Sequence, residues 1–169
     1  MCSEIPGRSA RVDAEYDGAT GKLSRLTVDR HNDGNPNIFS YMDGSKVVRI
    51  EVDKDEDGTI DRWEYPDADG ALERVGISRS NDGIVDTWLF PGLDGWPAKV
   101  HMSTRRDGRI DRTEFYTTGE LTRVEQDTDA DGRVDKWETY ASGALAKVSF
   151  DMTKTGKPTI TIDYQQGPR

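Results

Sequence analysis

Apolar residues in this chain recur at every second position over short runs, and glycine cuts the runs at near-constant intervals. One set of runs carries Leu26 and Val28, Ile50 and Val52, Val75 and Ile77, Val100 and Met102, and Val148 and Phe150, with Val124 followed by Gln126 in the same register. A second set is aromatic: Phe39 and Tyr41, Trp63 and Tyr65, Trp88 and Phe90, then Phe115, then Trp137 with Tyr140 one place later in its repeat. A period of two, enriched in β-branched and aromatic residues and bounded by glycine, predicts strands.

The glycines give the length of the repeat. Gly34, Gly58, Gly83, Gly108, Gly132 and Gly156 follow one another at steps of 24, 25, 25, 24 and 24 residues. Gly21, Gly44, Gly70, Gly95, Gly119 and Gly143 fall between them. Two turns per repeat predict two antiparallel strands, one leaving the Asp-rich turn through Trp and Tyr and one returning through Leu and Val. The expected fold is all-β: an antiparallel up-and-down meander of six two-strand repeats.

Alternation places Trp63, Tyr65, Val75, Ile77, Trp88, Phe90, Val100, Met102, Val124, Trp137, Val148 and Phe150 together on one apolar face. Arg25, Arg49, Arg74, Lys99, Arg123 and Lys147 form a basic row on the other face, among Glu51, Glu64, Glu114, Glu125, Glu138, Arg62, Arg112 and Lys136. An apolar face needs cover, and the sequence supplies no helix, so the sheet is expected to roll into a barrel or fold as a sandwich. An open single-layer repeat sheet is the alternative. The basic row suits either an Arg/Lys–Glu ladder or a polyanion-binding surface, and the interleaved acids favour the ladder. The predicted organisation is a tether over residues 1–10, a single β-repeat domain over 11–164 and a tail over 165–169.

Composition narrows the function. The 169 residues are 33% hydrophobic and 33% charged, with mean hydropathy −0.81 and net charge −9. That charge disfavours nucleic acid and anionic membrane as partners. No run approaches the ~18 apolar residues of a membrane span. His31 and His101 stand alone, and no nucleophile has a base at a recognisable spacing, so no enzyme is expected.

Much of the acid lies in two stretches, DKDEDGTIDRWE from Asp53 and DTDADGRVDKWE from Asp127. Alternating carboxylates at loop positions 1, 3 and 5 crowd around a position-6 glycine and repel one another unless a cation joins them; calcium takes six to eight oxygen ligands. The candidate ligands are Asp53, Asp55, Asp57, the Thr59 carbonyl and Asp61, then Asp127, Asp129, Asp131, the Arg133 carbonyl and Asp135. The expected number of calcium sites is two. Asp61 and Asp135 are expected to close them, leaving Glu64 and Glu138 as surface residues. The other loops are expected to act as plain turns; Arg105 puts a cation at position 3 of one.

Both stretches match the EF-hand calcium-loop pattern, but Pro66 and Gly70 interrupt the 16 residues between one loop and the next, where two helices would have to fit. The loops resemble EF-hand-like DxDxDGxxD turns between strands, as in extracellular β-repeat proteins such as integrin-type propellers. Trp63, Tyr65, Gly70 and Leu72, with Trp137, Tyr140, Gly143 and Leu145, resemble MORN-like bacterial repeats, which implies hairpins of similar length. Met1-Cys2-Ser3 resembles the start of a mature bacterial lipoprotein, which implies a lipid anchor on Cys2 and a periplasmic or cell-surface location. The expected role is a calcium-binding scaffold or interaction module with a protein or surface partner. The alternatives are a barrel-type carrier of an apolar ligand and a polyanion-binding module.

Overall fold

The backbone of the Asp-rich loops repeats residue for residue. In each of the six, the fourth residue has a positive φ (Asn32, Glu56, Asn81, Arg106, Ala130, Lys154), and so does the glycine two places on. A left-handed residue costs a non-glycine side chain energy, so six occurrences at one position mark a shared fold of the loop. The loop reverses the chain and delivers each new strand in the same register.

The computed structural model describes residues 9–164, and none of these is helical. Cys2, most of the expected tether and the expected tail lie outside the described residues. The chain divides into two compact units, Met1–Val85 and Asp86–Arg169. The first holds β1 (Arg11–Tyr16), β2 (Leu23–Asp29), β3 (Ile38–Asp43), β4 (Lys46–Val52), β5 (Arg62–Pro66) and β6 (Leu72–Ile77). The second holds β7 (Thr87–Pro91), β8 (Pro97–Met102), β9 (Arg112–Thr117), β10 (Glu120–Gln126), β11 (Lys136–Ala141), β12 (Ala144–Phe150) and β13 (Ile160–Asp163).

Strand order follows chain order within each unit, β1 to β6 in the first and β7 to β13 in the second. Within each unit every pairing is antiparallel and joins sequence neighbours, and strands contact only those neighbours. The meander of two-strand repeats is therefore present, but the expected barrel or sandwich is not: the order is linear, and neither unit adds a second layer. The open single-layer alternative describes each unit.

Register explains why no cover is needed. Glu64 opposes Val75 and Trp63 opposes Gly76; Glu138 opposes Val148 and Trp137 opposes Ser149. Paired residues share a face, so the tryptophans and the valines lie on opposite faces. The single apolar face expected from the sequence is split in two. The basic row shares its face with the aromatics, and Glu64, Glu114 and Glu138 share theirs with the valines. The strand pattern fixes parity within a strand, but parity across a hairpin depends on how the turn closes, and a one-residue difference exchanges the faces.

On the aromatic face, cation and ring alternate from strand to strand. In the second unit the row runs Phe90, Lys99, Phe115, Arg123, Thr139, Lys147, Asp163. Lys99 Nζ lies 4.3 Å from the Phe90 ring centre and the Arg123 guanidinium 4.0 Å from that of Phe115. In the first unit Arg49 covers Tyr41 at 4.2 Å and Arg74 covers Tyr65 at 4.7 Å. Such contacts contribute about 0.5–1 kcal/mol each at exposed sites. A register shift between Thr139 and Tyr140 gives the row position to Thr139, and the Tyr140 hydroxyl donates to Glu138 instead.

The opposite face has a thin core. Val75, Val100, Val124 and Val148 are between 1% and 5% exposed. In the second unit they alternate with Glu114 and Glu138 along the row. These acids are buried beside the valines, paired with Arg112 at 2.8 Å and Lys136 at 2.7 Å. Glu64 pairs with Arg62 in the same way. The aliphatic stems of the Arg and Lys residues are placed to shield the valines while their heads stay wet. The outer strands β1 and β13 are exposed along their length. They put Glu15 against Arg25 and Asp163 against Lys147, where the inner strands put a ring or, in β11, Thr139.

With so thin a core, each valine carries much of it. Val124→Ala is expected to cost about 2 kcal/mol of unfolding free energy, and Val12→Ala on the exposed edge less than about 0.5 kcal/mol. Urea midpoints of the two variants test this; equal shifts would contradict burial by cross-strand neighbours.

Candidate metal centre

Most carboxylates of the two acidic loops have a structural task. The position-1 residue ties the loop shut: Asp53 accepts from the Glu56 amide at 2.6 Å and the Gly58 amide at 2.8 Å, and Asp127 accepts from Ala130 and Gly132, each at 2.8 Å. Gly58 and Gly132 have φ of 92° and 88°, which only glycine adopts without strain. At position 5, Asp57 accepts from the Thr59 amide and Asp131 from Arg133. At position 9, Asp61 accepts from the Lys54 amide at 2.8 Å and Asp135 from Thr128 at 2.9 Å.

These bonds recur where no calcium pattern is complete. Asp29 and Asp151 accept from Gly34 and Gly156, and Asp111 accepts from Thr104. A large part of the Asp-rich signature is thus the cost of building the turn.

Position 3 is different. It is Asp55 and Asp129 in the two full loops and His31, Ser80, Arg105 and Thr153 in the others. Asp55 and Asp129 each complete a triad: oxygens of Asp53, Asp55 and Asp61, and of Asp127, Asp129 and Asp135, lie within 4.8 Å of one another. Asp61 and Asp135 are the third members of these triads. Asp57 and Asp131 are outside the triads, and Thr59 and Arg133 stand at position 7 with their amides engaged. Glu64 and Glu138 are held in their ion pairs with Arg62 and Lys136, away from the triads' ligand sets. Three hard oxygen donors on one short loop fit calcium, which would draw further oxygens from main-chain carbonyls and water.

The two triads differ in their electrostatics. Desolvation, then the neighbouring carboxylates of Asp57, Asp61 and Asp53, push the Asp55 carboxyl up from its ordinary value. The Asp129 carboxyl is held down, chiefly by the Lys154 ammonium, which donates to it at 2.6 Å and to Asp131 at 3.0 Å. At the first triad the neighbour is Asn81, whose Nδ2 donates to Asp55 and Asp57, each at 2.8 Å.

Asn81 and Lys154 are residues the sequence did not single out. Both are position 4 of the loop that follows. Glu56, also a position-4 residue, reaches back to His31 at 3.0 Å and Asn37 at 2.8 Å. The repeated left-handed residue thus aims a side chain at the preceding loop. Spacing alone could have flagged the position, but only the structure shows where it points. Arg105, expected to oppose calcium, lies 3.4 Å from Asp111 of its own loop and donates to the Thr128 carbonyl of the next.

No family model matches the chain, and no match was found among curated proteins. The EF-hand-like and MORN-like resemblances therefore rest on the motifs alone. Among solved structures, the chain is similar to one described as the crystal structure of accessory secretory protein 1, 2 and 3 in Streptococcus pneumoniae. Identity is 14% and the TM-score 0.39, over 69% of this chain and 19% of that one. A likeness at this level assigns neither fold nor function.

The division between turn-building and spare carboxylates has a measurable sign. In chelator, Asp53→Ala is expected to cost about 1–3 kcal/mol, because two amides lose a buried acceptor. Asp55→Asn is expected to raise the thermal midpoint in chelator, since it removes one of several mutually repelling charges. The raised Asp55 value carries the same sign: its ionised form opposes folding, so this opposition fades as pH falls through its folded pKa. A fall in midpoint for Asp55→Asn would mean that position 3 also builds the turn.

Proposed function

We propose that this chain is a noncatalytic calcium-binding β-repeat protein that offers its sheet as a scaffold or interaction module at a bacterial cell surface or in the periplasm. The observation that carries the reading is the pair of acidic triads at equivalent places in their repeats. Position 1 and position 9 carboxylates brace the turn through main-chain amides; at position 3, Asp129 accepts from the Asp131 amide at 3.2 Å, while desolvation and the neighbouring carboxylates push the Asp55 carboxyl up. A calcium ion supplies the missing counter-charge. By fixing both strands that leave a loop, it also contributes to folding.

Extracellular calcium modules bind at about 10⁻⁴–10⁻³ M, which suits the location that the Cys2 resemblance implies. The histidines have structural contacts, His31 with Glu56 and His101 edge-on to Phe90. The carrier alternative loses its premise, because neither unit closes into a barrel. Polyanion binding on the basic row is also disfavoured: Arg25, Arg49, Arg123 and Lys147 each pair with an acid.

Calorimetric titration of metal-stripped protein with calcium tests the reading. Saturable binding is expected at about 10⁻⁴–10⁻³ M, lost in the double variant Asp55→Asn, Asp129→Asn. Calcium at a hundredfold excess over Kd is expected to stabilise the fold by ~2.7 kcal/mol per site. No heat and no rise in midpoint at ~5 mM calcium, above the weak end for such modules, would end the calcium reading and leave the repeat sheet intact.

A further inference from the structure

We propose that Asp82 and Asp107 are sites of spontaneous main-chain isomerisation, each passing through a cyclic imide with the following glycine to isoaspartate. The inference goes beyond calcium binding and needs no ligand.

Five of the six Asp-rich loops carry Asp-Gly at positions 5 and 6: Asp33-Gly34, Asp57-Gly58, Asp82-Gly83, Asp107-Gly108 and Asp131-Gly132. Glycine has no Cβ to shield its nitrogen, and all five pairs are exposed to water. In each of these loops the fourth residue and the glycine have positive φ, so backbone and exposure do not separate the five. Position 1 does. It is Asp29, Asp53 and Asp127 in three of these loops and Ser78 and Ser103 in the other two.

The change at position 1 alters both partners of the reaction. Asp29, Asp53 and Asp127 each accept the position-6 amide through Oδ2 at 2.8 Å, which ties the glycine nitrogen to the first residue of its loop. A serine hydroxyl has one proton to give, and here it goes to the aspartate. Ser78 Oγ donates to Asp82 Oδ1 at 3.0 Å and Ser103 Oγ to Asp107 Oδ1 at 3.3 Å. The Gly83 and Gly108 amides have no protein acceptor among the described residues. The same Oδ1 atoms also accept from the Ile84 and Arg109 amides, each at 3.0 Å. In the serine loops the nucleophile is thus free, and the carboxyl it meets carries two donors on one oxygen. Those donors sit where negative charge builds as nitrogen adds to Cγ. Asp57 and Asp131 also take donors, from Asn81 and Lys154, but the nitrogens beside them are tied.

The reaction balances without a co-reactant. The glycine nitrogen bonds to the aspartate Cγ, and its proton leaves with a carboxyl OH as water. Water then opens the imide. Attack at the aspartate main-chain carbonyl breaks its bond to nitrogen and leaves the chain running through Cγ, one methylene longer. Attack at Cγ restores aspartate. In the aspartate loops, ring closure must first break the bond to position 1, which slows it roughly fivefold, the rate equivalent of one hydrogen bond.

Peptide mapping by mass spectrometry, after the full chain has stood in warm neutral buffer with chelator, tests this. Isoaspartyl peptides keep their mass and shift in elution, and imide peptides are one water lighter. Isoaspartate is expected to form roughly fivefold faster at Asp82 and Asp107 than at Asp33, Asp57 and Asp131. Ser103→Asp installs the residue that four other loops carry at position 1, and it should slow Asp107 to the rate of Asp57. Ser103→Ala should slow it less, because Gly108 stays untied. Asp127→Ser should speed Asp131 and leave Asp57 unchanged; should that variant fail to fold, Ser103→Asp still decides.

Equal rates at all five pairs, faster conversion beside the position-1 carboxylates, or no isoaspartate at Asp82 and Asp107 would each overturn the proposal. So would a Ser103→Asp variant that ages like wild type.

Discussion

Cross-strand register governs this protein more than burial does. In a single layer no second element presses on either face, so each side chain finds its neighbours only along its own row. Pairing Glu64 with Val75 and Trp63 with Gly76 decides which side chains meet across the strands. It sets cations beside rings on one face and ion pairs beside valines on the other. A slip of one residue would put tryptophan against valine and part the cations from their rings, while ion pairs within a strand, such as Arg62 with Glu64 and Arg112 with Glu114, would remain. The interactions are individually small, of the order of a kilocalorie or less, and they hold because the repeat makes all of them agree.

Fold class and repeat were legible in the sequence, because glycine spacing and a period of two are local signals. The distribution of residues between faces was not. Trp63 and Tyr65 could be assigned to a common face, as could Val75 and Ile77, since each pair shares a strand. Whether the two pairs coincide depends on the bulged turn near Tyr65 and Pro66, and no residue type announces that. The mistaken apolar face then invited closure into a barrel. Tyr140 shows the same limit on a smaller scale: the shift beside Thr139 moved it out of the aromatic row.

The turns were legible in the Asp-rich loops, for a reason that also limits the reading of a metal there. Position 1 and position 9 aspartates are demanded by the turn, so the motif identifies the turn first and the metal second. What separates a ligand from a turn residue is whether its oxygens already have amide donors. Asp53 does, twice over, and its residual capacity is small. The Asp55 carboxyl is pushed up first by desolvation and then by the carboxylates crowding it. The side chains that balance this charge arrive from the next loop, about one repeat away along the chain, beyond the reach of any single-motif pattern.

The outer strands have a consequence for how such a chain can change over generations. Because an inner repeat offers the same ring-bearing strand on one side and the same cation-bearing strand on the other, a copied repeat fits beside its parent with every row continued. Length can therefore drift by whole hairpins through gene duplication. A copied half-repeat would reverse the direction of all later strands and carry the Asp-rich turns to the wrong end. Selection should tolerate the first event readily and remove the second, which predicts a family of relatives that differ by multiples of one hairpin.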